Sequence, residues 1–125
     1  MGIRIEPKNL TDAIMYELRQ YNDNVDEVVA DAVEKTAKDT VATLRRTSPK
    51  LTGSYQKGWR TRLITDKRGR YVKEVHNKTD YQLTHLLEKG HAKTNGGKVP
   101  EIVHIAPAEQ EAETQLMKLI KEALK

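Results

Sequence analysis

The stretch TSPKLTGSYQKGW, residues 47–59, separates a helical half of the chain from a β-rich half. Pro49 cannot continue a helix, and it pushes the residue before it toward an extended conformation. From Trp59 onward the spacing of similar side chains changes from 3.6 residues to two, which is typical of a strand. The stretch therefore predicts the junction between a helical region and a β-hairpin.

Residues 11–46 carry apolar side chains three and four positions apart, as an amphipathic helix does. One helix over this range would be about 55 Å long at about 1.5 Å per residue, which is longer than a globular helix usually is. We expect a break at 22–24, where Asn24 caps a second helix and Glu27 reaches back to it. Residues 1–10 are interpreted as an N-terminal arm. The predicted buried stripe comprises Ile14, Leu18, Tyr21, Val25, Val28, Val29, Ala32, Val33, Ala37, Val41 and Leu44.

Residues 54–77 predict a long antiparallel hairpin with its turn at 66–69, because β-forming runs flank that polar tetrapeptide. Asp80 then caps a short helix, 80–89, which Gly90 ends. The predicted core on this side consists of Leu51, Tyr55, Trp59, Tyr81, Leu86 and Leu87.

Residues 90–100 predict a flexible loop, because Gly and Pro interrupt them and no period is present. A brief strand is expected at 102–106, followed by a C-terminal helix at 107–125 that Pro107 opens. Together these elements predict a single α+β domain, 1–125, whose helices pack on a small antiparallel sheet. The C-terminal helix is expected to bury Ala112, Leu116, Leu119, Ile120 and Ala123.

The charge of the chain is unevenly distributed along its 125 residues. Residues 1–44 carry 5 basic and 9 acidic side chains, residues 45–100 carry 14 and 4, and residues 101–125 carry 3 and 5. The middle is therefore strongly basic and suits either nucleic acid or an acidic protein surface. Cysteine is absent, which excludes disulfides and thiol chemistry, and no apolar run predicts a signal peptide or a membrane partner.

The sequence predicts no catalytic, cofactor-binding or metal-binding residue. The four histidines, at 76, 85, 91 and 104, match no zinc spacing, and Gly96-Gly97-Lys98 lacks the spacing of a phosphate-binding loop. Acidic side chains lie mainly on predicted helix surfaces, so paired-carboxylate chemistry is not favoured. Glu88 is the exception, since it follows an apolar helical segment inside the basic block, and both a buried ion pair and simple exposure stay open for it.

The basic residues of the hairpin and the following loop form the predicted contact surface. A cationic hairpin can enter a nucleic-acid groove, but few aromatic residues are available to stack bases, so a protein interface or an ordinary charged surface is favoured. The predicted interface or DNA-facing residues are Arg60, Arg62, Lys67, Arg68, Arg70, His91, Lys93 and Lys98, and the predicted turn residues are Pro49, Gly53, Gly90, Gly96 and Gly97.

Several short signatures follow one another in a recognisable order: Ser48-Pro49, Leu51-Thr-Gly-Ser-Tyr55, Leu87-Glu-Lys-Gly-His91, Gly96-Gly97 and Ile105-Ala-Pro-Ala108. In this order and at these separations the chain resembles the small tail-component proteins of long-tailed bacteriophages and prophages, which include neck and tail-completion proteins. The resemblance implies an α+β fold and a structural protein without enzymatic activity.

The resemblance also implies where such a protein acts. It would be made in the cytoplasm of the bacterial host and would assemble as a ring of identical copies at the head-tail joint of the virion. Its partners would be connector or head-closure proteins and tail-tube or tail-terminator proteins. The alternatives are a small basic nucleic-acid-binding protein of prophage origin and, less favoured, a nuclease or toxin.

Overall fold

The computed structural model describes residues 2–8, 10–50, 53–65, 71–93 and 96–124. Within these ranges, helices pack on a three-stranded antiparallel sheet, and a separate two-stranded ladder follows. The α+β class predicted from the sequence is confirmed. The elements are β1 (Ile3–Ile5), α1 (Asp12–Tyr21), α2 (Val25–Thr47), α3 (Ser54–Lys57), β2 (Trp59–Thr65), β3 (Tyr71–Asn77), α4 (Tyr81–Lys89), β4 (His91–Ala92), β5 (Lys98–Val99) and α5 (Ile105–Ala123).

The main sheet has the order β1-β3-β2, with β3 antiparallel to both neighbours. β1 lies within the residues interpreted as an arm, so that interpretation missed a strand. Its alternation of Ile3, Arg4 and Ile5 buries both isoleucines and leaves the arginine exposed. Three residues are too few to give a clear two-residue period, but they complete the sheet.

α2 and α5 cover one face of the sheet and form the core with it. Val33 and Leu44 of α2 and Leu116 and Ile120 of α5 are buried there. Each such side chain contributes about 1.5–3 kcal/mol when fully buried. Ala123, which was expected in the same stripe of α5, is exposed because it lies in the last turn.

The helical region breaks between α1 and α2 at 22–24, where the sequence predicts it. Asn24 occupies the N-cap position, but its side chain makes no capping hydrogen bond, so the expected capping box is wrong. Ile14 and Tyr21 were expected in the core and are exposed; Met15 is buried instead. Consequently α1 presents more apolar surface than the core covers.

The hairpin begins at Trp59 and not at residue 54, because α3 occupies the first four of those residues. β2 and β3 pair from Trp59 with Asn77 to Thr65 with Tyr71. The predicted turn at 66–69 lies outside the described residues, as does the expected core residue Leu51.

α4 occupies Tyr81–Lys89, with Asp80 at its N-cap position and Gly90 at its C-cap. The side chain of Asp80 makes no capping bond and instead accepts a hydrogen bond from the Ser54 hydroxyl at 2.7 Å. Tyr81 and Leu86 were expected in the core, but Tyr81 is 60% exposed and Leu86 is also exposed. The buried face of this short helix is instead formed by Thr84 and Glu88.

The last third of the chain differs from the prediction in two places. The expected flexible loop, 90–100, includes a short ladder in which β4 and β5 pair over two residues each. The expected strand, 102–106, is absent from the described chain, and α5 begins at Ile105, two residues before Pro107. Pro107 is the third residue of the helix, where a missing N–H leaves no helical hydrogen bond unmade.

Candidate functional site

Glu88 joins α4 to the start of α5. Its Oε1 accepts the backbone N–H groups of His104 at 2.8 Å and Ile105 at 2.9 Å, and its Oε2 accepts that of Ala106 at 2.9 Å. Burial of the carboxyl opposes ionisation, but these three backbone N–H donors outweigh it and lower the pKa of Glu88. The carboxylate therefore caps a helix 16 residues further along the chain, and this long-range cap sets where α5 begins.

His104 links this cap to the run at 47–59 through Tyr55. Its Nδ1 lies 2.8 Å from the carbonyl oxygen of Ile102, which can only accept, so Nδ1 carries a proton. In the neutral ring Nε2 then accepts from the hydroxyl of Tyr55 at 2.6 Å. Burial, with a smaller contribution from the charge of Glu88, raises the pKa of Tyr55, so the phenol stays protonated as this donor role requires.

The run at 47–59 forms the other half of the same buried cluster. Trp59 donates its indole N–H to the hydroxyl of Ser48 at 2.8 Å, and its ring packs edge-on against Tyr55 with centroids 5.6 Å apart. Asn77 of β3 donates to the backbone carbonyl of Tyr55 at 2.7 Å. These contacts fix the end of α2 to the start of the hairpin. The sequence signatures therefore mark a structural joint that positions the hairpin.

Gly58 and Gly90 meet close neighbours at this joint. A Cβ at Gly58 would lie 2.2 Å from the Thr79 hydroxyl oxygen. Gly90 has a φ of 73°, and a Cβ there would lie 2.5 Å from the carbonyl oxygen of Val99. The chain can turn from α4 into β4 only because this position lacks a side chain. The other predicted turn glycines, Gly53, Gly96 and Gly97, also have positive φ, and Pro49 follows the Ser48 C-cap of α2.

The end of the hairpin next to residues 66–70 is tied to the middle of α2 by Glu34. Tyr71 donates its hydroxyl to Glu34 Oε2 at 2.9 Å, and the Lys73 ammonium lies 3.3 Å from the same atom. The hydrogen bond from Tyr71 is the main cause that lowers the pKa of Glu34, and the charge of Lys73 adds to it. The hairpin is therefore held against α2 at this end as well as at Trp59, whose carbonyl accepts a hydrogen bond from Arg45.

The predicted basic surface is only partly within the described structure. Arg60 and Arg62 are exposed on β2, on the face of the sheet opposite α2, whereas Lys67, Arg68 and Arg70 lie outside the described residues. Arg62 forms an ion pair with Glu74 of β3 at 2.5 Å, and Arg60 donates to the carbonyl of Trp59 at 2.9 Å. The charge of Arg62 is therefore already partly neutralised within the subunit, so Arg62 is less suited to bind a phosphate group.

His91, Lys93 and Lys98 lie apart from these arginines in sequence, on or beside the β4–β5 ladder, and all three are exposed. Gly97 closes the end of this ladder by accepting a hydrogen bond from the Lys93 N–H at 3.1 Å. The ladder follows α4 directly and so projects from the joint that Glu88 and His104 hold. The predicted contact residues thus belong to two separate elements, the hairpin and the ladder.

Exposed apolar side chains lie on several elements, and the sequence interpretation did not identify them as exposed. On α1 they are Ile14, Tyr16 and Tyr21, and Tyr21 is 87% exposed. The signal for them was present, because residues 11–21 contain more apolar positions than one helix face can bury. The others are Leu63 of β2, Tyr81 and Leu86 of α4, and Ile102 and Val103 before α5. Contiguous patches of such groups mark surfaces that bind other proteins, whereas single exposed apolar side chains are common.

Metal binding and membrane insertion are two further possibilities for the described ranges. No cluster of three or more His, Asp or Glu side chains there is arranged to hold a metal ion. None of the helices in those ranges combines the length and apolar character that crossing a membrane demands.

Comparison with known proteins gives one match. No curated protein and no solved structure matches the chain. Residues 12–90, more than half of the 125, match the model of the HK97-gp10-like family, described as "Bacteriophage HK97-gp10, putative tail-component". The matched range runs from the start of α1 to Gly90 and so includes the hairpin and most of the buried joint. The chain therefore belongs to the HK97-gp10-like family of bacteriophage tail components.

Proposed function

We propose that this protein acts at the head-tail joint of a phage or prophage virion, as a neck or tail-completion protein. Copies assemble into a ring that connects the head-closure or connector proteins above with the tail-tube or tail-terminator proteins below. The protein acts by binding its neighbours and catalyses no reaction. It is made in the host cytoplasm and functions in the virion.

The observation that carries this proposal is the family membership, which makes the chain a structural phage protein. The surface of the subunit supports a ring in particular. Its exposed groups are of unlike kinds: apolar and acidic on α1, basic on the hairpin, and apolar before α5. Unlike surfaces favour head-to-tail contacts between copies, and such contacts form rings when the rotation closes.

The experiment is deletion of the gene from an inducible phage that carries it, followed by electron microscopy of the lysate. We expect DNA-filled heads and separate tails to accumulate, and complementation in trans to restore complete particles. Antibody against the protein should label the joint of those particles. Normal virions from the deletion strain, or labelling along the tail or on the capsid, would contradict the proposed position.

The second candidate is a small basic nucleic-acid-binding protein, and the exposed guanidinium of Arg60 within the basic block is the observation that favours it. That function predicts binding to duplex DNA that falls steeply with salt and is weakened in the R60A/R62A double variant. K118A/K121A is the matched control, since it removes two exposed charges from α5. Equal binding by the two variants at every salt concentration would argue against a DNA-binding surface on β2.

A further inference from the structure

β2 is an edge strand whose outer backbone groups are exposed to pairing. Lys78 donates its N–H to the carbonyl of Gly58. The backbone N–H and C=O groups of residue 58 and of every second residue after it therefore point toward β3. Residues 59, 61, 63 and 65 must therefore direct their N–H and C=O groups away from the sheet. Consistent with this, the carbonyl of Trp59 accepts from the side chains of Arg45 at 3.0 Å and Arg60 at 2.9 Å.

The outward groups beyond Trp59, on Thr61, Leu63 and Thr65, have no partner strand among the described residues. Leu63 is 54% exposed, so an apolar side chain stands at this edge. Charged side chains, proline or bulges usually protect long edge strands from pairing. β2 carries two exposed arginines, Arg60 and Arg62, but its outward-pairing positions carry no charge, proline or bulge, so the edge is open to a partner of opposite charge.

The segment 101–104 has the complementary character. Its residues from Ile102 onward belong to the predicted strand, yet in the single subunit residues 101–104 form neither a helix nor a strand. The backbone of Ile102 is hydrogen-bonded within the subunit. Its N–H donates to the Leu87 carbonyl at 2.6 Å, and its carbonyl accepts a hydrogen bond from the His104 side chain. Val103 next to it has no hydrogen bond among the described residues and is 52% exposed.

We propose that β2 of one copy pairs with the segment 101–103 of the next copy, so that the sheet of one subunit is extended by its neighbour. This inference rests on the ring assembly proposed above and specifies its contact. Leu63 directs its backbone groups outward, and those of Val103 have no hydrogen-bond partner among the described residues. A register that pairs the two residues places their side chains on the same face of the extended sheet. Two exposed apolar side chains then cover each other while their main-chain groups become bonded.

The charges of the two segments favour this pairing over a symmetric pairing of two β2 strands. Two β2 strands from different copies would bring Arg60 and Arg62 of both onto one face, and like charges across strands are destabilising. The segment 101–103 instead carries an exposed glutamate and begins the acidic C-terminal part of the chain. Because the two contacting surfaces differ, each copy keeps one of them free for the next neighbour, as a ring requires.

The absence of cysteine makes covalent trapping a direct test. The double variant L63C/V103C is treated with a bismaleimide reagent, both as purified protein and in virions. The reagent is long enough to join the two thiols even if the strands pair in a register shifted by one residue pair, which separates the residues by about 7 Å. The control is L63C/Y21C, in which the second thiol replaces the highly exposed Tyr21. A monofunctional maleimide first verifies that the thiols of both variants react, and circular dichroism verifies that both fold.

We expect L63C/V103C to give a ladder of covalent multimers, roughly tenfold or more above the control, because paired strands hold the thiols at high effective concentration. Mixing the single variants L63C and V103C should give dimers only, since each copy then carries one thiol. If the protein is found in rings at the joint and its thiols react with maleimide but give no ladder, the proposed contact is wrong and the proposed function stands. Cross-linking of Leu63→Cys to a different virion protein would also overturn it. If the protein is absent from virions, the proposed function fails, and the ladder with purified protein alone decides the contact between copies.

Discussion

Replacement of Glu88 by glutamine tests the joint between α4 and the start of α5. Oε1 of the carboxylate accepts two backbone N–H groups, and Oε2 accepts that of Ala106. An amide has one oxygen, so in either orientation its NH₂ group faces a backbone donor. The unmet buried donor costs about 1–3 kcal/mol. Loss of the negative charge at the start of α5 adds about 0.3–2 kcal/mol.

We therefore expect Glu88→Gln to lower the free energy of unfolding by about 2–4 kcal/mol, and the melting temperature by on the order of 10 °C. Chemical denaturation with calorimetry measures both. Glu101→Gln is the matched control, because Glu101 is exposed nearby and should change stability by less than about 0.5 kcal/mol.

The pH dependence separates the charge of Glu88 from its packing. The folded pKa of Glu88 is lowered, so its contribution is complete above the unfolded pKa of about 4.3 and is lost as pH falls through the lower folded value. The stability difference between the native protein and Glu88→Gln should thus be largest near pH 7 and shrink below about pH 4.3. A difference that is absent at neutral pH, or that stays constant down to acid pH, would refute this reasoning.

Three further expectations concern the same fold. Tyr55→Phe removes the hydroxyl that donates a hydrogen bond to His104 Nε2. The free energy of unfolding, measured by urea denaturation, should fall by about 1–2 kcal/mol, and an unchanged midpoint would contradict the hydrogen bond. Thr36→Val should be neutral or stabilising by up to about 1 kcal/mol, because the buried Thr36 hydroxyl has no partner in the described structure; a clear loss on thermal melting would count against this. In hydrogen exchange, amides at 90–100 should exchange much faster than those of β3 in the isolated subunit and gain protection on assembly, and full protection in the monomer would refute a role in assembly.

Elements with a long, regular period could be predicted from the sequence. α2 repeats its apolar positions over six turns, and the hairpin alternates across both strands, so local pattern alone identifies them. β1 was missed because three residues do not establish a period. The sequence shows an excess of apolar positions in α1, but it does not identify Ile14 and Tyr21 as the exposed ones, because these positions fit more than one face and tertiary packing chooses between them.

The errors near the site have one physical source, which is contact between residues far apart in sequence. Ile102 to Ile105 are all residues that favour a strand or tolerate one, but Glu88 binds the backbone N–H groups that follow and makes Ile105 the first residue of a helix. The two readings of Glu88 left open by the sequence were an ion pair and exposure. Its main partners are instead backbone amides, which no side-chain pattern reveals. His104, interpreted as an isolated histidine, is likewise the link to Tyr55.

The run at 47–59 was correctly interpreted as a junction between helical and β-rich halves. Its Ser48, Tyr55 and Trp59 side chains contact one another or the neighbouring strand, so its value as a family signature follows from its structural role. The arginines of β2 could be located from the sequence, but the pairing of Arg62 with Glu74 could not, because it depends on the register of the two strands.

The most direct test of the account is an electron-microscopic reconstruction of the head-tail joint of a virion that contains this protein. We predict a closed ring of identical copies at the joint, lying between the connector and the upper end of the tail tube, with β2 of each copy beside residues 101–103 of the next. A joint reconstructed at high resolution in which this chain cannot be placed, or copies located elsewhere in the particle, would contradict the account.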